Sequence, residues 1–218
     1  MKFESYKEEK KYFEQQASLQ EFLDWYKQQD HGTYELPSVT VDNLIFGWER
    51  EELKILFIKR KAHPFINQYA FPGGFHKKTE NSDEAAIREA SEETGLQLDP
   101  SHLRQFKTIS TPNRDPRAWV ITIAYFVFLP TMEKIAAKAG GDAKDAQWLS
   151  LSIKNGALAL KKEGENIPLS DLAFDHRSIL EDAVAYLRQD FSNHGILKVL
   201  GPDPKEADIQ KLKEILAL

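Results

Sequence analysis

Residues 73–96 read GGFHKKTENSDEAAIREASEETGL, a glycine turn running into a short acidic helix. Asn81 is placed to cap that helix with Glu84 at its third position, and Asp83 and Glu84 favour its positive end. Gly95 supplies the left-handed residue at which it stops. Glu89, Glu92 and Glu93 stand at i, i+3 and i+4, so their carboxylates share one face, while Ala86, Ile87 and Ala90 supply apolar contacts elsewhere. Three like charges on one face repel. A hard divalent cation such as Mg²⁺ or Mn²⁺ relieves the repulsion, because such ions take oxygen ligands and complete their shell with substrate phosphates. Arg88 can hold one of the carboxylates by a two-pronged hydrogen bond.

The alternative is a solvated acidic helix face, but the letters stand in a longer pattern. Gly74, Glu80, Arg88, Glu89, Glu92, Glu93 and Gly95 fall at the spacing Gly-x5-Glu-x7-Arg-Glu-U-x-Glu-Glu-x-Gly-U, where U is a bulky aliphatic residue. With residue frequencies of roughly 5–10% each, a chance match is on the order of one in 10⁸ or rarer. The stretch resembles the Nudix box, departing from it only in Ala90 at the first U position. The resemblance implies an α/β fold, an α/β/α sandwich about a mixed sheet, with the box as loop–helix–loop. It implies hydrolysis of a nucleoside diphosphate linked to another moiety. It also implies metal ligands at Glu89, Glu92, Glu93 and the Gly73 carbonyl, supported by Arg88 and Glu80. The general base is left open between a box glutamate and an outside acid, for which Glu133, Asp142, Asp145 and Glu163 are candidates.

Composition sets the frame. The 41% apolar content with 13 Phe, 7 Tyr and 4 Trp suits a folded core. A net charge of −5 argues against nucleic acid as a general partner. No cysteine, no signal-like N-terminus and no apolar run of membrane length make this a cytosolic candidate with no membrane partner.

Four segments are expected: an N-terminal helical extension over 1–36, a Nudix domain over 37–153, a peripheral loop segment over 154–171, and a C-terminal helical region over 172–218. Ser18 and Glu21 form a capping box for a helix to about Gln29, with Leu19, Phe22, Leu23 and Tyr26 as its apolar stripe. The stripe packs on its own domain or serves a dimer. Strands are expected at 39–48, 53–61, 103–110, 119–129 and 146–151, a loop at 134–145, and irregular chain over 152–170. Helices follow from Asp175 to about Phe191 and from a cap at Asp203 with Pro204 first.

Arg114 and Arg117, in the loop NRDPR, either bind phosphates or close an internal salt bridge with Asp115. Tyr69, Phe71 and Phe75 either stack on adenine or belong to the core. The histidines lack metal-ligand spacing, and His176 reads as structural.

The NRDPR loop, the lead-in to the glycines and the LAFDH stretch at 172–176 resemble the branch containing ADP-ribose pyrophosphatases and Nudix-related regulators of NAD metabolism. This implies cleavage of ADP-ribose to AMP and ribose 5-phosphate, and a homodimer. The alternatives are a ligand-sensing repressor and a house-cleaning nucleoside triphosphate pyrophosphatase. The complete box and the low positive charge of 175–218 favour the enzyme. The C-terminal region is expected to match only the first helices of a winged helix, a truncated form without a recognition helix.

Overall fold

The structure is a computed structural model and describes residues 3–28, 36–129, 143–189, 191, 193 and 195–218. It falls into two compact units, residues 1–36 and 37–218. In the first, α1 (Tyr6–Gln15) and α2 (Leu19–Gln28) form a helical pair. The Ser18 hydroxyl accepts from the Glu21 amide at 3.3 Å while Glu21 accepts from the Ser18 amide at 2.8 Å, the expected capping box. Phe13 stacks on buried Trp25 at 5.0 Å, whose indole N–H donates to Glu9. Leu19, Leu23 and Tyr26 are exposed.

In the second unit, β-branched and aromatic runs form β1 (Ser38–Glu49), β2 (Glu52–Arg60), β3 (Tyr69–Ala70) and β4 (Gly73–Phe75). They are followed by α3 (Ser82–Thr94), β5 (Leu103–Ile109), β6 (Val120–Leu129) and β7 (Ala143–Lys154). Then come β8 (Ala157–Lys162), β9 (Glu165–Ile167), α4 (His176–Gln189) and α5 (Glu206–Ile215). The strand order is β5-β6-β1-β2-β7-β8-β9, with β3 paired to β2 and β4 to β1. Only β1 and β6 run parallel among these described pairs, so the sheet is mixed.

Alternation along the central strands sorts the two faces. Val41, Ile45, Leu56, Tyr125 and Val127 pack toward Ala85, Ala86 and Ala90 of α3. Leu44, Phe46, Ile55, Phe57, Ala124 and Phe126 share the opposite core with Ile179, Leu180, Ala183 and Leu187 of α4 and with Leu212 and Leu216. Helices therefore cover both faces, and the helices of 172–218 share the core of the sheet.

Three expectations need correction. Residues 152–170 are not irregular: β7 runs on to Lys154, and β8 and β9 extend the sheet edge. Turns at Asn155-Gly156 and Glu163-Gly164, all four with positive φ, make these tight hairpins. The strand expected from 146 begins at Ala143. The last helix begins at Glu206 with Lys205 at the N-cap, so Asp203 and Pro204 precede it. Glu133 and Asp142 lie outside the described residues.

Candidate active site

The box helix is fixed at both ends. Asn81 accepts from the Glu84 amide at 3.0 Å while Glu84 accepts from the Asn81 amide at 2.8 Å, and Gly95 closes the helix at φ 79°. The Tyr125 hydroxyl donates to Asp83 at 2.6 Å, tying the first turn to β6; burial and that carboxylate push the phenol up to about 12. From β1, the Asn43 amide side chain donates to the Ala86 carbonyl at 3.0 Å.

Arg88 is the hub of the charged face. Its two-pronged bond goes to Glu80, with Nε and Nη2 donating at 2.8 and 2.6 Å, rather than to a carboxylate of its own helix face. Nη1 donates to Glu89 at 2.6 Å and to Glu92 at 3.2 Å, and Nη2 also reaches the Phe75 carbonyl at 3.0 Å. The guanidinium thus supplies the countercharge that the three-carboxylate face demands. It holds Glu80 down to about 2. Glu89 moves the other way: burial raises its pKa against the pull of Arg88. Glu93 is 3% exposed and accepts from the Gly73 amide at 2.9 Å, whereas Glu92 is half exposed and faces Lys77 at 3.8 Å. Among the described residues no three acidic or histidine side chains converge on one point.

The donor set nonetheless fits a hard divalent cation. Three carboxylates rise from one helix face beside a glycine pair, and the Glu89 carboxylate lies against Gly74 so closely that a Cβ there would stand 2.7 Å from it. Gly73 faces the backbone of Val41 and Asp42 in the β1–β4 pairing. Small residues here let strand and helix approach closely.

Beside the glycines opens a cleft bounded by Asp42, Arg60, Gly73, Gly74, Phe75, Arg117, Phe174 and His176. Here the two arginines separate. Arg114 is buried and clamps Asp175 with Nε and Nη2 at 2.9 and 2.8 Å, with Asp42 at 3.6 Å. It closes a salt bridge, with Asp175 as partner where Asp115 was expected, and it also lines the wall of the cleft. Arg117 binds Asp115 at 3.0 and 2.7 Å and lies over the rings of Phe75 and Phe174 at 5.2 and 5.7 Å, with its side chain 41% exposed.

The aromatics separate too. Tyr69 is core, packed on Phe57 and donating to Gln147 at 3.2 Å, and does not line the cleft. Phe71 is 1% exposed and sandwiched between Phe57 and His176, so its faces are taken. Phe75 is exposed at the cleft. Neither Asp145 nor Glu163 is among the cleft-lining residues.

Sequence reasoning passed over Asp42, Thr122 and Arg60, and took Phe174 only as part of the LAFDH stretch. Asp42 accepts from the Thr122 hydroxyl at 2.7 Å and approaches His176 Nε2 at 3.5 Å. One signal was present: an Asp-Asn pair in the middle of an otherwise apolar strand demands buried partners.

Burial holds the pKa of His176 below its ordinary value, although Asp42 and Asp175 pull it up; Arg114 and Arg60 act with burial. The unfolded chain therefore takes up a proton near pH 6.5 that the folded chain does not, so stability is full above about 6.5 and falls as pH drops below it. Urea midpoints for the wild type are expected to decline between pH 7.5 and 5.5, and the decline is expected to shrink in His176→Asn.

The fold and site define a class. The chain matches the NUDIX domain over residues 36–167, more than half its length, and it belongs to the Nudix family. It is 38% identical over 159 residues to an ADP-ribose pyrophosphatase of Methanocaldococcus jannaschii, covering 72% of this chain and 80% of that protein. It is 34% identical over 173 residues to an ADPR responsive transcriptional repressor of Acinetobacter baylyi, covering 78% of this chain but only 61% of the repressor. The crystal structure of a MutT/nudix family protein from Enterococcus faecalis superposes with a TM-score of 0.87 at 36% identity, covering all of this chain and 88% of that one.

Proposed function

We propose that the protein is a Nudix hydrolase that cleaves ADP-ribose to AMP and ribose 5-phosphate with Mg²⁺ or Mn²⁺. The observation that carries this is the complete charged box, whose leading glycines Gly73 and Gly74 also line the cleft, in a chain 38% identical to an ADP-ribose pyrophosphatase. Glu89, Glu92, Glu93 and the Gly73 carbonyl would hold the metal. When bound, it would neutralise the pyrophosphate, lower the pKa of attacking water and stabilise the leaving phosphate. The protein's own part is orientation. Glu80 fixes Arg88, and Arg88 sets the rotamers of Glu89 and Glu92. The Gly73 amide turns Glu93 inward. Phe75, stacked with Arg117, offers a face to adenine, and Arg117 offers charge to a phosphate.

The repressor similarity keeps a sensor reading in view. Against it, α4 and α5 spend their apolar faces on the core of the sheet, and a sensor has no chemical need of the full carboxylate set. A cytoplasmic homodimer completes the proposal; exposed Leu19, Leu23 and Tyr26 supply apolar surface for self-association. No helix among the described residues is long and apolar enough to cross a membrane.

The test is hydrolysis of ADP-ribose, followed by AMP release with Mg²⁺, Mn²⁺ or EDTA, beside a panel of nucleoside triphosphates. Metal-dependent AMP formation from ADP-ribose is expected, and turnover confined to triphosphates would overturn the substrate. The two arginines provide a finer check. Arg114→Ala removes the partner of half-buried Asp175 and the nearest cation to buried Asp42, and is expected to cost about 3 kcal/mol of stability. Arg117→Ala is expected to cost on the order of 1 kcal/mol and to raise KM about tenfold with little change in kcat.

A further inference from the structure

We propose that His176 is a positioning residue, bracing residues 71–74 so that the Gly73 carbonyl is presented to the metal. This rests on the reading of Gly73 as a metal ligand. The Phe71 amide donates to His176 Nδ1 at 3.0 Å. A backbone amide can only donate, so Nδ1 carries the lone pair and the ring proton sits on Nε2. That Nε2 faces Asp42 Oδ1 at 3.5 Å. The ring stacks on Phe71 at 4.8 Å and 15°, and lies 5.5 Å from Phe174.

The contacts close a circuit. Asp175, next to His176, clamps Arg114; Arg114 approaches Asp42; Asp42 accepts from Thr122 and faces His176. Both ends of the circuit reach the glycine segment, since Asp42 is the register partner of Gly73 and His176 holds Phe71, two residues before it. The rest of the segment is pinned by the Asn43 amide to the Pro72 carbonyl at 2.8 Å and by the Gly73 amide to Glu93 at 2.9 Å. Phe71 is buried, and its N–H is satisfied by His176 Nδ1. A groove between the sheet edge and α4 and a cavity by Arg104 and Lys198 show no comparable convergence of groups.

A histidine that merely fills the core would affect stability alone, so the test needs a readout of the metal site. Mn²⁺ affinity of the full chain is measured by electron paramagnetic resonance with Mn²⁺ alone, together with amide exchange at Phe71 and Gly73, and kcat and KM for ADP-ribose. His176→Leu removes the acceptor. His176→Asn keeps an oxygen near the Nδ1 position, and His176→Gln moves the amide out toward Nε2. The expectation for His176→Leu is Mn²⁺ affinity and kcat each lowered about 10–100-fold, KM unchanged within twofold, and faster exchange at Phe71. His176→Asn is expected to recover most of the affinity and to bind Mn²⁺ more tightly than His176→Gln, a comparison that decides the matter if the leucine variant does not fold. Folded His176→Leu with Mn²⁺ affinity within twofold of wild type, or an asparagine variant no better than glutamine, overturns the inference. Wild type that binds no Mn²⁺ overturns the metal reading and this inference with it. Binding that Glu92→Gln abolishes and His176→Leu leaves intact overturns the inference alone.

Discussion

Glu92→Gln is expected to lower kcat for ADP-ribose on the order of 10²–10³-fold while leaving the apo protein as stable as wild type or slightly more so. Glu92 is half exposed, its bond to Arg88 is long at 3.2 Å, and its charge repels that of Glu89 one turn back. Removing that charge relieves the apo helix and takes a ligand from the proposed metal. Glu93→Gln differs because Glu93 is buried against the Gly73 amide. An amide oxygen still accepts that bond, but the amide NH₂ then needs its own buried acceptor, so a stability loss of about 1–3 kcal/mol accompanies the loss of activity. Thermal melts with and without Mg²⁺ separate the effects. A ligand at a hundred times its Kd stabilises the folded state by about 2.7 kcal/mol. That shift is expected in wild type and absent in both variants. A full Mg²⁺ shift in Glu92→Gln would remove Glu92 from the ligand set.

Where interactions are local, the sequence was legible. Asn81, Glu84 and Gly95 define the box helix by capping rules that need no tertiary context, and the structure reproduces each bond. The central strands announced themselves through β-branched and aromatic runs. The edge did not: β8 and β9 carry Lys161, Lys162 and Glu165 because edge strands are half solvated, and such short, charged segments read as loop. Long-range pairing was equally opaque. Asp115 stands one residue from Arg114, yet Arg114 binds Asp175, 61 residues away, and nothing in a linear reading ranks the distant carboxylate over the near one. The same holds for Phe71 and His176, 105 residues apart. The NRDPR and LAFDH stretches, taken together in the sequence as marks of one branch, are joined in space by the Arg114–Asp175 ion pair. Arg60 of β2 lines the cleft as well as both arginines of that loop, and Arg114 differs from Arg117 through Asp175, the residue just before α4.

Gly73→Ala and Gly74→Ala, adjacent and chemically identical changes, are expected to fail in different ways. A Cβ on Gly73 would run into the Val41 carbonyl oxygen, with the carbonyl carbon at 3.0 Å and the Asp42 Cα at 3.1 Å. All three are backbone atoms of the central strand β1, which is locked to β6 by ten paired residues and cannot yield. Relief must come from parting β4 from β1, which frees the Gly73 amide from Glu93 and exposes the core beneath. A loss of several kcal/mol is expected, beyond the usual range of about 0.5–3 kcal/mol for point changes, with soluble yield reduced accordingly. On Gly74 the nearest atoms to the Cβ are those of the Glu89 carboxylate, at 2.7–2.8 Å. A side chain can rotate where a strand cannot, so Gly74→Ala is expected to fold with a melting temperature close to wild type. Glu89 must then leave Arg88 and the glycine turn, which moves a proposed metal ligand away from its partners. Activity is expected to fall at least tenfold, and the Mg²⁺-dependent rise in melting temperature to shrink with it. Equal stability losses in the two variants would show that β4, not the Glu89 carboxylate, sets the requirement for glycine at both positions.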